Sequence, residues 1–194
     1  MGPGLRERKK VATRQALHEA AVALSIRHGL DKVTVEAIAD AAEVSRRTFS
    51  NYFAGKEEAL LYGDRQRVRR LVDAVAERPP AEPPWAALTA AALHFERDLG
   101  ARDPDWVSQF RLVRRHPALA AYQVSAYASM EDELTAQLAR RCPLEPMRAR
   151  LMAAAFLVAV RVAVHEWLDR PKGTELADVM RESLNDLAPA FAPQ

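Results

Sequence analysis

The chain holds one cysteine, Cys142, among 194 residues, so no disulfide can form within it. Glycine is scarce, at seven residues, and Val/Thr alternation is rare, which argues against a sheet-rich fold. The longest apolar run, Leu151–Val160, is stopped by Arg161 and is too short to span a bilayer. No charged-then-apolar signal segment opens the chain, since residues 5–14 are basic and polar. These absences point to a reducing cytoplasm and to no membrane partner. There is no G-x-S-x-G, P-loop or G-x-G-x-x-G. His165-Glu166 begins like H-E-x-x-H, but position 169 is Asp, so no metal site is expected. Nothing local supports catalysis, so neither an enzyme nor a cofactor is expected. An excess of one charge is lacking too, the net value being only +2.

What is present is an ordinary globular composition, 49% apolar and 28% charged, long enough to bury a core. The small net charge hides an asymmetry. Residues 1–80 carry 15 Lys/Arg against 11 Asp/Glu, and residues 81–194 carry 13 against 15. Such a split suggests that one part meets a polyanion and the other does not. Helical spacing recurs along the chain. Leu17, Ala20, Ala21 and Leu24 mark a first helix from about Arg6 to Arg27, and Gly29 suits a left-handed cap. Thr34 and Ser45 are good N-caps for two short helices, to about Ala41 and Phe53. A longer helix opens at Lys56-Glu57-Glu58. Residues 78–84, with four of the twelve prolines, form a stiff connector. Beyond it, prolines punctuate further apolar faces. The expectation is an all-α fold of about nine helices. Residues 1–54 would form a three-helix, helix-turn-helix DNA-binding domain, and 55–194 a helical ligand-binding and dimerisation domain.

The stretch Thr34–Lys56 is the most informative. Two short helices joined by about four residues have helix-turn-helix spacing. Ile38, Ala39, Val44 and Phe49 are the packing candidates, and the small Ala39 allows a close crossing. The outward residues of the second helix are Arg46, Arg47, Thr48, Ser50, Asn51 and Tyr52, with no acid among them. Arg pairs with guanine, Asn with adenine, and the Thr methyl contacts thymine. Arg, Ser, Thr and Tyr also bind phosphates. Lys56 stands at the next helix start, and Arg6, Arg8, Lys9, Lys10 and Arg14 form a basic arm opposed only by Glu7. A basic helix face is often merely solvated, but the missing acids favour double-stranded DNA as the partner.

These residues resemble a known family. Thr34-Val35-Glu36-Ala37-Ile38-Ala39, followed by Val44-Ser45-Arg46-Arg47-Thr48-Phe49-Ser50-Asn51-Tyr52-Phe53-Ala54-Gly55-Lys56-Glu57-Glu58-Ala59-Leu60, looks like the DNA-binding signature of TetR/AcrR-type transcriptional regulators. The resemblance implies an all-helical homodimer that represses transcription until a small molecule binds. It places Arg46, Arg47, Thr48, Asn51 and Tyr52 at the major groove or its flanking phosphates, and Lys56 on a phosphate. Thr34 and Ser45 belong to the same candidate DNA-contact set. Two positions depart from the pattern. Glu43 stands where the turn usually has glycine, at about 1 kcal/mol if its φ is positive. Phe49 stands where tyrosine is usual.

In the second half, Phe110-Arg111-Leu112-Val113, His116-Pro117-Ala118-Leu119 and Leu138-Ala139-Arg140-Arg141 loosely resemble the branch that binds acyl-CoA-like ligands, including mycofactocin-system regulators. Trp85, Phe95, Trp106, Phe110, Tyr122, Tyr127, Met130, Met152, Phe156 and Trp167 are singly ordinary core residues but together could line a pocket. Arg161 interrupts an apolar helix and, if buried, needs a partner, either an acid across a dimer interface or an anionic ligand group. The candidate ligand-binding set is Phe95, Trp106, Phe110, Tyr127, Met130, Phe156, Arg161 and His165. The alternative is a helical small-molecule-binding protein, or a protein-interaction module, whose N-terminal bundle is structural.

Overall fold

The computed structural model describes residues 4–96, 104–141 and 144–192. Cys142 lies outside them, as does the side chain of Trp106. Among the described residues there are nine α-helices, two short 3-10 turns and no strand. The helices are α1 (Leu5–His28), α2 (Val35–Ala41), α3 (Arg46–Ser50), α4 (Lys56–Ala76), α5 (Pro84–Glu96), α6 (Pro104–Arg115), α7 (Pro117–Arg141), α8 (Pro146–Asp169) and α9 (Leu176–Leu187).

Local chemistry accounts for most of the boundaries. The Thr34 hydroxyl accepts the Ala37 N–H at 3.1 Å, and the Ser45 hydroxyl accepts the Thr48 N–H at 3.0 Å. Helix α3 is shorter than its sequence spacing predicts. It ends at Ser50, and Asn51 and Tyr52 follow as a turn. Glu58 reaches back to accept the Ala54 N–H at 2.7 Å, closing the start of α4. Four later helices begin on a proline, where the missing N–H has no intrahelical partner to lose. Gly29 ends α1 with φ 79° and ψ 145°, a positive-φ extended conformation rather than the left-handed helical cap. At residues 78–82, Arg78 donates twice to the Glu82 carboxylate, at 2.8 and 2.7 Å. The Arg141 guanidinium donates to the carbonyls of Val75, Arg78 and Pro79, closing the carboxyl end of α4.

The chain forms two compact units: residues 1–65 with 104–123, and residues 66–103 with 124–194. The unit that holds the helix-turn-helix therefore runs past residue 54 and takes in α6. Its core gathers Leu17, Ala21, Ile38, Ala39, Phe49 and Phe53, with Leu60, Leu61, Val113 and Leu119 in a second cluster. In the other unit, α8 packs along α9, and α5 packs on both. The Trp85 indole N–H donates to the Leu184 carbonyl at 3.2 Å, and its ring meets Phe156 edge-on at 6.4 Å.

Helix α8 revises the reading of its apolar run. It is 24 residues long, and by length and composition alone it could cross a membrane. Met152, Ala153, Phe156, Leu157, Ala159, Val160, Ala163 and Val164 are buried, the pattern of a core helix. Met147, Leu151, Val158 and Val162 instead form an exposed apolar stripe on the same helix.

Candidate nucleic-acid interface

The α2–turn–α3 unit is set by close packing and one unusual turn residue. Ile38, Ala39 and Phe49 are buried, so α2 and α3 share a small core. The turn is tied by Val44 N–H to the Ala39 carbonyl at 2.9 Å and Glu43 N–H to the Asp40 carbonyl at 3.0 Å. Glu43 has φ 55°, and among the described residues no other non-glycine residue has positive φ. A side chain there costs about 1–2 kcal/mol relative to glycine's freedom. The turn chemistry anticipated from sequence is present, strain included.

Helix α3 presents Arg46, Arg47, Ser50 and Asn51 to solvent, with Thr48 and Tyr52 half-buried beside them. The Ser50 hydroxyl donates to the Arg46 carbonyl at 3.2 Å. Thr34 and Ser45 use their hydroxyls on backbone N–H groups, so their local role is capping. The face is not free of acid, as α3 alone implied. Glu36, in the first turn of α2, meets Arg46 at 3.0 Å. The basic arm belongs to α1. Arg6, Arg8, Lys9 and Lys10 are exposed on the first turns of α1.

These two elements enclose an open groove of about 810 Å³, lined by Leu5, Arg6, Glu7, Lys9, Lys10 and Thr13 of α1 and by Thr48, Asn51 and Tyr52. Its walls carry three cations and one acid, and its polar atoms are donors suited to phosphate oxygens. Thr13 was not singled out from sequence, although its spacing from Lys9 and Lys10 places it on their face.

Two predicted DNA contacts are engaged elsewhere. The Arg14 guanidinium donates to the Tyr52 carbonyl at 3.1 Å. It also lies 5.9, 5.6 and 5.5 Å from the ring centroids of Tyr52, Phe53 and Tyr62. Arg14 thus braces the end of α3 from inside. The Lys56 ammonium donates to the Leu30 and Val33 carbonyls, both at 2.9 Å, and so straps the segment before α2 to the start of α4. Neither pairing could be read from local spacing.

Further supports surround this frame. His18 Nδ1 lies 2.8 Å from the Ala59 carbonyl, so that nitrogen carries the proton. Gln109 of α6 donates to the Leu60 carbonyl at 2.7 Å. Burial pushes the Glu58 carboxyl up, but the Ala54 N–H and the Arg65 guanidinium outweigh it and hold the carboxyl below its usual range. Burial raises the Tyr122 phenol.

The ligand-set residues divide between the units. Phe110 is buried in the first. Phe95, Met130 and Phe156 are buried in the second, Phe156 completely, as core residues are. Tyr127, Arg161 and His165 are half-buried in that unit. Arg161 is only half-buried within this chain. Arg141, part of the loosely matching motif, is occupied in closing α4.

Comparisons with known proteins agree with this frame. The family model described as bacterial regulatory proteins, tetR family, matches residues 17–62, and that of the MftR C-terminal domain matches residues 82–192. The HTH-type transcriptional regulator TcmR of Streptomyces glaucescens is 35% identical over 178 residues, covering 86% of this chain and 77% of that protein. Two solved structures share the fold. SmeT, the repressor of the Stenotrophomonas maltophilia multidrug efflux pump SmeDEF, has a TM-score of 0.65 at 18% identity, covering 93% of this chain and 91% of its own. NalD, the secondary repressor of the MexAB-OprM multidrug efflux pump in Pseudomonas aeruginosa, has a TM-score of 0.60 at 18% identity, covering 94% and 98%.

Proposed function

The chain belongs to the tetR family of bacterial regulatory proteins, and we propose that it represses transcription by binding a palindromic operator as a homodimer. In this reading, a small acyl-CoA-like effector releases it. The observation that carries the DNA-binding geometry is the basic groove between α1 and α3. Arg46, Arg47, Thr48 and Asn51 read base edges or seat the helix, while Arg6, Arg8, Lys9, Lys10 and Tyr52 hold phosphates. Lys56 and Arg14 act by fixing the frame.

The apolar stripe of Met147, Leu151, Val158 and Val162 on α8 supports self-association, because a stripe of that kind is stable when a second copy covers it. A two-fold axis then gives two half-sites. The match to the MftR C-terminal domain supports an effector site in the second unit. There Arg161 would meet an anionic head group, with Tyr127 and His165 as further polar candidates and Phe95 and Met130 toward an acyl chain. Effector binding shifts the dimer toward a spacing that no longer fits both half-sites.

Selection of bound duplexes from a random pool, repeated with acyl-CoAs of graded chain length, tests both parts. The expected result is a palindromic consensus, lost when an acyl-CoA is added. If each protomer places Arg6, Arg8, Lys9 and Lys10 on phosphates, log K should fall with log salt at a slope of about −7. Duplex binding that survives Arg46→Ala plus Arg47→Ala would overturn the assignment of α3. Release that is unchanged in a stable Arg161→Ala dimer would overturn the ligand role of Arg161.

A further inference from the structure

The contact between Glu36 and Arg46 joins two exposed side chains, with 53% and 73% of their side-chain surface open to solvent. An ion pair this exposed contributes little to stability. Its position is what matters. Glu36 is on α2 and Arg46 is the first residue of α3, so the pair spans the two helices of the helix-turn-helix. Arg46 Nη1 meets Glu36 Oε1 at 3.0 Å. Arg47, the next residue, is exposed and forms no such ion pair among the described residues. Of two adjacent arginines, one is therefore oriented by a carboxylate from the neighbouring helix.

We propose that Glu36 is a specificity-determining residue that acts through Arg46. This rests on the reading of α3 as the DNA-reading helix. The carboxylate does two things to the arginine. It draws one guanidinium nitrogen toward α2, which biases the group toward the two-donor match to the O6/N7 edge of guanine over the many geometries that satisfy a phosphate. It also cancels much of the charge that would hold Arg46 on any duplex. A guanidinium freed of Glu36 becomes a general phosphate anchor, with higher affinity for arbitrary DNA and less preference among bases. Glu36 is thus a positioning residue that lowers non-specific binding.

The test uses the full-length protein and two probes: the duplex that wild type selects from a random pool, and a scrambled duplex of equal length and composition. Dissociation constants are measured from 50 to 200 mM salt for wild type, Glu36→Gln, Arg46→Ala and the double variant. In Glu36→Gln, affinity for the scrambled duplex should rise at low salt, and that gain should shrink about 3-fold per half-site between 50 and 200 mM, the salt dependence of roughly one added phosphate contact. The preference for the selected duplex should fall about 10-fold, within the range carried by one two-donor base contact. In the Arg46→Ala background, Glu36→Gln should leave the preference unchanged. Equal gains on both duplexes would overturn the proposal, leaving only general repulsion. A loss of preference that persists without Arg46 would overturn it too. Should wild type select no duplex at all, the reading of α3 itself falls, which separates the two failures. Glu36 is exposed, so an unchanged far-ultraviolet spectrum and Tm are expected for Glu36→Gln.

Discussion

Replacing Arg14 should damage operator binding without removing a DNA contact. Its guanidinium makes one charge-assisted hydrogen bond to the Tyr52 carbonyl and faces three aromatic rings at 5.5–5.9 Å. The hydrogen bond is worth about 2 kcal/mol. Three ring contacts, to half-buried Tyr52 and Tyr62 and to buried Phe53, add about 0.5 kcal/mol each. The total is about 3.5 kcal/mol, and since the contacts share one group, about 3 kcal/mol is expected from Arg14→Ala. Arg14→Lys keeps the charge but loses the fork, and about half the effect should return. Urea unfolding followed by circular dichroism at 222 nm, with operator affinity measured in parallel below the transition, separates stability from binding. The reasoning predicts that affinity falls even where the variant is fully folded, because Tyr52 and the end of α3 lose their brace. A destabilisation below about 1 kcal/mol with unchanged operator affinity would refute it.

Three other outcomes are expected. Glu43→Gly should stabilise the protein by about 0.5–1 kcal/mol, because the strain relieved at φ 55° exceeds the entropy that glycine loses; Glu43→Ala should give no gain in the same thermal melts. The Glu58 carboxyl titrates below its ordinary value of 4.5 in the folded state, so its contribution is complete above that pH and is lost as pH falls through the folded value. Glu58→Gln should therefore flatten the acid limb of a stability profile as pH falls below 4.5. Leu151→Glu with Val158→Glu places two charges on the exposed stripe of α8, and sedimentation should then show a folded monomer in place of the dimer proposed for wild type.

Legibility followed the range of the interaction. Thr34, Ser45, Gly29 and the helix-opening prolines act within a few residues, and sequence placed each of them at its boundary. The strain at Glu43 was legible only through the family resemblance, in which glycine usually holds that turn position. The pairings of Arg14, Lys56 and Arg46 were not legible, for a common reason. Local spacing shows a charge on a helix, but not what the fold brings to it from 10 to 38 positions away. Counted by face, Arg14 and Lys56 belonged to the DNA contacts, and in three dimensions each is turned onto backbone carbonyls. The run in α8 misled differently. Arg161 breaks the stretch in one dimension, yet the helix continues, and the exposed and buried apolar residues separate only when it is seen in the round.

The amino end of α1 has one more consequence. Residues 4–12 are all exposed, so no tertiary burial holds these turns. Arg6, Lys9 and Lys10 sit at helical spacings where like charges repel by about 0.2–0.5 kcal/mol per pair. As cations at the positive end of a helix, they also oppose its macrodipole. The segment is therefore the part of α1 least favoured as helix in isolation. A polyanion laid in the groove removes both penalties at once. Under the proposed DNA contact, helix propagation and DNA capture would be one equilibrium: part of the affinity for an operator would come from winding the protein's own first turns, and the helical content of the free chain should rise with ionic strength.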